Sequence, residues 1–354
     1  MKILIIQPYL TKYRVDLFNQ LKKKNNEIFV LYSKDKKYSY GANIKKNFFN
    51  KILKKIDFKF FYLQIGMETF LLKYKPDKVF ISANFRCLNF WLLITICKLL
   101  SIPVFLHGHG MFKKSKINFI YRLIFNYSLL MCTKYICYNK FVKKKLLLFN
   151  FDKKKLSFLN NTLINKHCLK PSFNRKKDEL IFIGRLRNST NLELLFYALQ
   201  SLKNDHNIIY KLKIIGDGEN KLKLVNLAKF LKINVKFLGN IYDDIKIRNI
   251  CKNSCYGIYP GNAGLSVVHY MSLSLIPIMH DDIIFHSGPE VSYVKKKFNG
   301  FTFIRNNKRS LVKILKKICF LKQEKIFSIS RNAHETYLKL NYPNFSTKLL
   351  KILG

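Results

Sequence analysis

The feature that most constrains this chain is an alternation that runs almost from end to end. Short apolar runs are followed by segments whose apolar residues recur at helical spacing. Lys2 to Gln7, Glu27 to Ser33, Lys78 to Ser82, Pro103 to His107, Lys134 to Tyr138 and Lys155 to Leu159 read as strands. Tyr13 to Lys24, Asn89 to Ser101 and Ile117 to Leu130 read as amphipathic helices between them. Strands joined by crossover helices imply a parallel sheet covered on both faces, an α/β fold. The pattern pauses at the polar, proline-bearing stretch Lys170 to Lys177, then restarts. Glu179 to Gly184, Lys211 to Ile215, Val235 to Leu238, Cys255 to Tyr259 and Leu275 to Met279 are the strands of a second set, and the chain from about Arg309 is helical. The expected organisation is two facing Rossmann-like domains, 1–170 and 179–335, joined by a linker at 171–178. Helices in 336–354, Phe345 to Leu353 above all, would cross back onto the first domain.

A length of 354 residues exceeds what one core usually supports, in keeping with two domains. The most apolar run, Leu88 to Leu106, is interrupted by Lys98 and Pro103 and is too broken for a membrane span. Met1 to Pro8 has a charge and a short apolar run but no small-residue cleavage site, and reads as a first strand rather than a signal peptide. The eight cysteines form neither a CxxC pair nor a zinc-spaced cluster, so free thiols in a reducing cytoplasm are expected. A formal charge of +45 invites a nucleic-acid reading. The lysines, however, are spread over nearly every helix face, in runs such as Lys22 to Lys24, Lys143 to Lys145 and Lys153 to Lys155, and no nucleic-acid motif accompanies them. The positive field suits an anionic membrane surface and phosphate-bearing substrates better.

Nine of the 14 glycines lie between Gly184 and Gly300, and Gly184, Gly216, Gly218, Gly239, Gly261 and Gly264 fall where strands end. Ligands of open α/β sheets bind there, and glycine lets the backbone approach them. Three segments concentrate chemistry. In Ile181 to Leu186 a strand delivers Arg185, whose fork suits phosphate oxygens. In Tyr259 to Met271 a strand ends at Pro260-Gly261 and a helix begins, so that N–H groups of Gly261, Asn262, Ala263, Gly264 and Leu265 could hold a diphosphate. His269, in the first turns of that helix, either packs or reaches the same ligand. In Ile102 to Met111 a buried strand ends in His107-Gly108-His109-Gly110, two histidines better explained as active-site groups than as structural ones.

Taken together these residues resemble glycosyltransferase family 4, retaining enzymes of GT-B fold, and especially a branch with a GHG strand end and a PGxxGLxxxH donor helix. Tyr13-Arg14-Val15-Asp16-Leu17-Phe18, Asn160-Asn161-Thr162-Leu163, Ile215-Gly216-Asp217-Gly218-Glu219, Phe237-Leu238-Gly239, Gly288-Pro289-Glu290 and Asn299-Gly300 extend the likeness over nearly the whole chain. The resemblance implies a nucleoside-diphosphate sugar held by the second domain, a saccharide or lipid-linked acceptor entering from the first, and no cofactor or metal. No two aspartates separated by one residue are present, the metal motif of the alternative GT-A fold. It further implies that His109 sits at the reacting centre and that Arg185 meets the leaving-group charge. Gly184, Gly216, Gly239 and Glu290 would line the donor, and Tyr9, Tyr13, Arg14 and His107 the acceptor.

The sequence departs from that family at three places. The family usually carries two glutamates eight positions apart around the donor helix, where this chain has Gly261 and His269. A neutral imidazole at His269 can accept a ribose hydrogen bond in place of the second. The usual lysine after the arginine loop is Thr190, a loss that Arg187 could offset. The competing reading is a GT-B-like protein that binds sugar nucleotide or glycan without catalysis.

Overall fold

The apolar start of the chain is a strand, β1 (Lys2–Ile6), buried from Ile3 onward, and the alternation read from the sequence is built around it. In the computed structural model, which describes residues 1–22, 26–34 and 45–354, the chain divides into two units. Met1–Ile164 with Tyr342–Gly354 form the first and Asn165–Asn341 the second. Lys23 and Lys24, expected to close the first helix, lie outside the described residues.

In the first unit β1 is followed by α1 (Lys12–Lys22), β2 (Glu27–Ser33), β3 (Phe49–Asp57), β4 (Tyr62–Ile65), α2 (Met67–Tyr74), β5 (Lys78–Ser82) and α3 (Leu88–Leu99). Then come β6 (Val104–Gly108), α4 (Phe119–Met131), β7 (Lys134–Cys137), α5 (Lys140–Leu148) and β8 (Leu156–Phe158). The sheet order is β4-β3-β2-β1-β5-β6-β7-β8. The central strands are apolar without alternation because helices cover both of their faces. One pair departs from the expectation of a parallel sheet: β3 and β4 form an antiparallel hairpin at the edge. The lysines of β3, the strand next to the edge, obscure the hairpin in sequence.

In the second unit the elements are β9 (Lys176–Ile183), α6 (Leu192–His206), β10 (Lys211–Ile215), α7 (Lys221–Phe230), β11 (Val235–Phe237) and α8 (Asp244–Cys251). They continue with β12 (Ser254–Tyr259), α9 (Ser266–Ser272), β13 (Ile276–His280), β14 (Phe301–Phe303), α10 (Lys308–Cys319) and α11 (Gln323–Asn341). The sheet is parallel in the order β11-β10-β9-β12-β13-β14. The last helix, α12 (Phe345–Leu353), returns to the first unit: Phe345, Leu349 and Leu353 join Val15, Phe18 and Leu21 of α1 in one apolar cluster.

The boundaries differ from those read in the sequence. The first unit ends at Ile164, and residues 171–178 are not a free linker. Arg175 is buried there, with Nη1 donating to the carbonyls of Leu273 (3.0 Å) and Ser274 (2.8 Å) and Nη2 to that of Lys170 (3.1 Å). A polar, proline-bearing stretch looks like a linker, yet its guanidinium satisfies carbonyls that α9 leaves open at its end. Likewise the second unit runs on to Asn341, because α11 continues unbroken beyond 335. All eight cysteines are free thiols. Among the described residues no helix is long and apolar enough to cross a membrane.

Candidate active site

Strand order locates the sites before any side chain is considered. In the first unit β1 lies between β2 and β5, so the chain reverses its direction of growth there. In the second, β9 lies between β10 and β12. Crevices at the carboxyl ends of such switch points are where open α/β sheets hold ligands.

In the first unit Tyr9, Tyr13 and Arg14 follow β1, while His107 and His109 close β6, two strands away. The two glycines of the GHG run are required by Tyr135, a buried residue of β7. A Cβ at Gly108 would lie 2.6 Å from its hydroxyl, and the N–H of Gly110 (φ +53°) donates to that hydroxyl at 3.0 Å. This turn sends the two histidines to either side of Tyr138, with ring centroids 4.4 Å (His107) and 4.2 Å (His109) from it. His107 is buried against Phe80, and its Nε2 has no hydrogen-bond partner. Burial, with Arg14 and His109 adding to it, holds its pKa well below the ordinary value. The surface of His109 remains open to solvent. The atoms crowded about its ring, followed by Lys113 and Arg14, push its pKa down to about 4, so both imidazoles are neutral near pH 7.

Arg14 is 2% exposed, and its Nη2 donates to Asn161 Oδ1 at 2.9 Å while Nη1 has no partner. Burial opposes its charge, but the hydroxyls of Tyr13 and Tyr138 raise its pKa overall. The guanidinium, also stacked near Phe345 at 5.9 Å, braces the two tyrosines from beneath. Tyr9, just after β1, and Tyr13, in the first turn of α1, are half-buried. The link between the two histidines, Tyr138, escaped the sequence reading because a lone tyrosine after a strand carries no signal.

In the second unit three loops meet backbone to backbone. A Cβ at Gly216 would fall 1.9 Å from the carbonyl oxygen of Gly184, one at Gly218 2.2 Å from that of Leu186, and one at Gly261 2.1 Å from that of Ser189. Hydrogen bonds fasten the same loops: Gly216 N–H to Gly239 O (2.8 Å), Leu186 N–H to Asp217 O (2.9 Å) and Asn262 N–H to Ser189 O (2.8 Å). Arg185 stands exposed above this floor, its Nη2 3.4 Å from Glu219 Oε2, a weak surface pair that leaves the guanidinium available. Thr190, in the place of the usual lysine, is buried and donates its hydroxyl to Arg187 O at 2.6 Å, whereas Arg187 lies against Tyr259.

The expectation of five free amides at 261–265 needs correction. The Asn262 N–H is taken by Ser189, and that of Ala263 donates to Nδ1 of His286 at 3.0 Å. Within 261–266 the amides of Gly261, Gly264, Leu265 and Ser266 have no acceptor among these hydrogen bonds, and the last three lie at the start of α9. His286 is fully buried, stacked on His280 at 3.6 Å, with Nε2 3.0 Å from the His280 carbonyl. Because Nδ1 accepts, Nε2 carries the proton and donates to that carbonyl. Burial and then His280 push the pKa of His286 down to about 3, and a neutral ring is what the contact needs. Nothing in the sequence marks His286, whose spacing from His280 matches no metal or catalytic pattern. Glu290 is buried in the turn Pro289–Tyr293, its carboxylate close beneath Gly288 and near Gly264. His269 is half-buried in the first turns of α9. Tyr270 lies flat under Gly257 and ties β9 to β12, accepting from Ile183 N–H (3.0 Å) and donating to Ile258 O (3.1 Å). Among the described residues no group of three His, Cys, Asp or Glu side chains could hold a metal ion.

The comparisons with known proteins agree with this fold. A glycosyltransferase from Rickettsia africae ESF-5 superposes with a TM-score of 0.74 at 16% identity, over 99% of this chain and 97% of that one. HepE from Anabaena, in complex with UDP, gives 0.74 at 13% identity over 100% and 99%. The apo lipopolysaccharide outer core galactosyltransferase WaaB gives 0.65 at 15% identity over 97% and 99%. Both units thus have the Rossmann-like architecture of GT-B glycosyltransferases, and the chain is a transferase-type enzyme. More particularly, residues 166–335, nearly all of the second unit, match the sequence model of the family described as Glycosyl transferases group 1. No curated protein matches the sequence significantly.

Proposed function

We propose that this enzyme moves a sugar from a nucleoside-diphosphate donor to a saccharide acceptor, with retention at the anomeric carbon, in the manner of glycosyltransferase family 4. The observation that carries the reading is the floor of glycine-to-carbonyl contacts at the β9/β12 switch point, with Arg185 and the amides of Gly264, Leu265 and Ser266 on the same edge. A diphosphate fits such an edge because a guanidinium and preorganised amides meet its charge. HepE, similar in fold, was solved with UDP and with UDP-glucose, which supports a nucleotide sugar as the ligand.

The acceptor hydroxyl oxygen bonds to the anomeric carbon as the bond from that carbon to the diphosphate oxygen breaks. The hydroxyl proton passes to the departing phosphate on the same face. Arg185 and the three amides hold the leaving group without calling on a metal, and neutral His109 orients the acceptor and the transferred sugar. Glu290 and His269 contact the donor sugar and ribose, with Gly184, Gly216 and Gly239 letting the nucleotide lie close to the backbone. Tyr9, Tyr13, Arg14 and His107 shape the acceptor side. The acceptor is a lipid-linked or lipopolysaccharide-type saccharide, and the enzyme works in a bacterial cytoplasm at the inner face of the membrane. WaaB, named for lipopolysaccharide outer core, supports that class.

The test is a panel of nucleoside-diphosphate sugars screened for thermal stabilisation, followed by donor hydrolysis and transfer assays. One donor is expected to raise Tm and to be turned over. Retained binding with neither hydrolysis nor transfer would mean a non-catalytic glycan or nucleotide-sugar binder instead.

A further inference from the structure

Between Lys78 and Phe151 the sequence contains no aspartate or glutamate, although lysine and arginine continue throughout. The same stretch contains α3 and α4, and both helices keep large apolar side chains out of the core. In α4 only Phe125, Ser128 and Leu129 are buried, while Phe119, Ile120 and Leu130 are 72%, 64% and 61% exposed. In α3 Leu88, Leu92 and Leu99 are exposed. The turn between β3 and β4 adds Phe58, Phe60 and Phe61. The same segments form an open trough of about 590 Å³ walled by Phe61, Phe85, Arg86, Trp91, Tyr121 and Tyr127.

The trough is rigidly made. Trp91 Nε1 donates to Phe85 O (3.2 Å), Arg86 Nε to Phe60 O (2.8 Å), and the hydroxyls of Thr95 and Tyr127 lie 3.0 Å apart. Cations ring it: Lys114 lies 4.5 Å from the Tyr121 ring and Lys59 5.4 Å from that of Phe60.

We propose that this face of the first unit is a docking surface for an anionic lipid bilayer. In this arrangement α4 and the β3–β4 turn enter the headgroup and upper acyl region while the surrounding lysines and arginines meet lipid phosphates. The chemistry selects this occupant. Exposed leucine, isoleucine and phenylalanine gain from hydrocarbon, and tyrosine and tryptophan suit the interface. The helices α3 and α4 lie in a stretch without acidic residues, and Asp57 at the start of the β3–β4 turn is paired with Lys55, so the surrounding rim of cations suits an anionic leaflet. A second copy of this chain is disfavoured, because a self-complementary contact would set two such rims against each other in a chain of net charge +45. The inference rests on the membrane-side placement proposed above and deepens it, but does not depend on sugar transfer.

Trp91, the single tryptophan of the chain, lines the trough and serves as the reporter. Full-length protein is sedimented with neutral phosphatidylcholine vesicles and with vesicles containing roughly a third phosphatidylglycerol. The second set also carries brominated acyl chains. Binding is expected only to the anionic vesicles, with Trp91 quenched by bromine. The double variant Ile120→Ser, Leu123→Ser, altered only at exposed positions, should bind about tenfold or more weakly. Its thermal shift with donor should match that of the parent. No vesicle binding, binding without quenching, or equal binding by the variant would each overturn the proposal. So would a dimer of the parent that the variant abolishes while vesicle binding stays unchanged. If vesicles bind as described but no nucleotide sugar stabilises the parent, the transferase reading fails and the docking surface stands.

Discussion

Gly261 stands where the resemblance to glycosyltransferase family 4 would place a glutamate, and the structure gives a reason for a residue without a side chain. A Cβ at this position would lie 2.1 Å from the carbonyl oxygen of Ser189, and 2.5 Å and 2.7 Å from the carbonyl carbon and oxygen of Thr190. Contacts of a real Cβ do not fall below 3.0 Å, so in Gly261→Ala the β9–α6 loop must retreat by about 1 Å. That loop carries Arg185 and Arg187, and the Asn262 N–H to Ser189 O bond of 2.8 Å spans the same contact. Overpacking against backbone costs roughly 1–3 kcal/mol, and loss of a buried amide bond adds about 1 kcal/mol. Gly261→Ala is therefore expected to be destabilised by about 2–4 kcal/mol, to weaken donor binding by tenfold or more, and to slow transfer. Gly261→Glu, although it recreates the family residue, should be worse. Gly239→Ala is the control: its φ of +68° strains an alanine, but nothing lies within 4 Å of the new methyl. It should lose only about 1–2 kcal/mol of stability, less than Gly261→Ala. Chemical denaturation and donor-induced thermal shifts, measured on the same three variants, decide the matter. A Gly261→Ala protein with parental stability and donor affinity would refute the packing argument, and a Gly261→Glu protein of higher activity would refute it more sharply.

Other outcomes follow from the candidate sites of the two units. Arg185→Ala should lower kcat by roughly a hundredfold, since it removes preorganised charge at the leaving group while its ion pair with Glu219 is an exposed one of 3.4 Å. Steady-state kinetics check this. His109→Ala should abolish transfer yet leave nucleotide affinity, read by calorimetry, nearly unchanged. His286→Leu strands the Ala263 N–H and should lower both Tm and donor affinity, the second being the readout that mere loss of packing would not move. Stability should also fall in acid. Buried His280 and His286 have pKa values pushed down to about 4 and about 3, and that of His107 lies well below 6.5. Below the ordinary value the unfolded chain then binds more protons than the folded one. Their contribution is complete above about pH 6.5 and is lost progressively as pH drops toward 4, which thermal melts across that range would show.

Much of the candidate site was legible one residue at a time. His109, Arg185, Gly216, Gly261 and Glu290 all occupy loops or turns near strand ends, and strand ends are visible as the last residue of an apolar run. The partners that hold them were not. Tyr138 between the two histidines, Asn161 on Arg14 and His286 on Ala263 meet across 23 to 147 positions of chain. The amides of Asn262 and Ala263 looked free because a sequence shows where a helix starts, not which neighbouring loop already occupies its donors.

Hydrophobic period by itself determined that this chain is α/β with two parallel-sheet units, because spacing of apolar residues along a segment decides which faces of it must leave water. It also determined the residues at the strand ends, since covalent order places each loop immediately after its strand. Tertiary structure alone decided where one unit passes into the next, that β4 pairs with β3 at an edge despite the lysines of β3, and which glycines face a carbonyl rather than open space. Those outcomes depend on distances between atoms far apart in the chain, set only when helices and sheets close-pack, and no local pattern carries them.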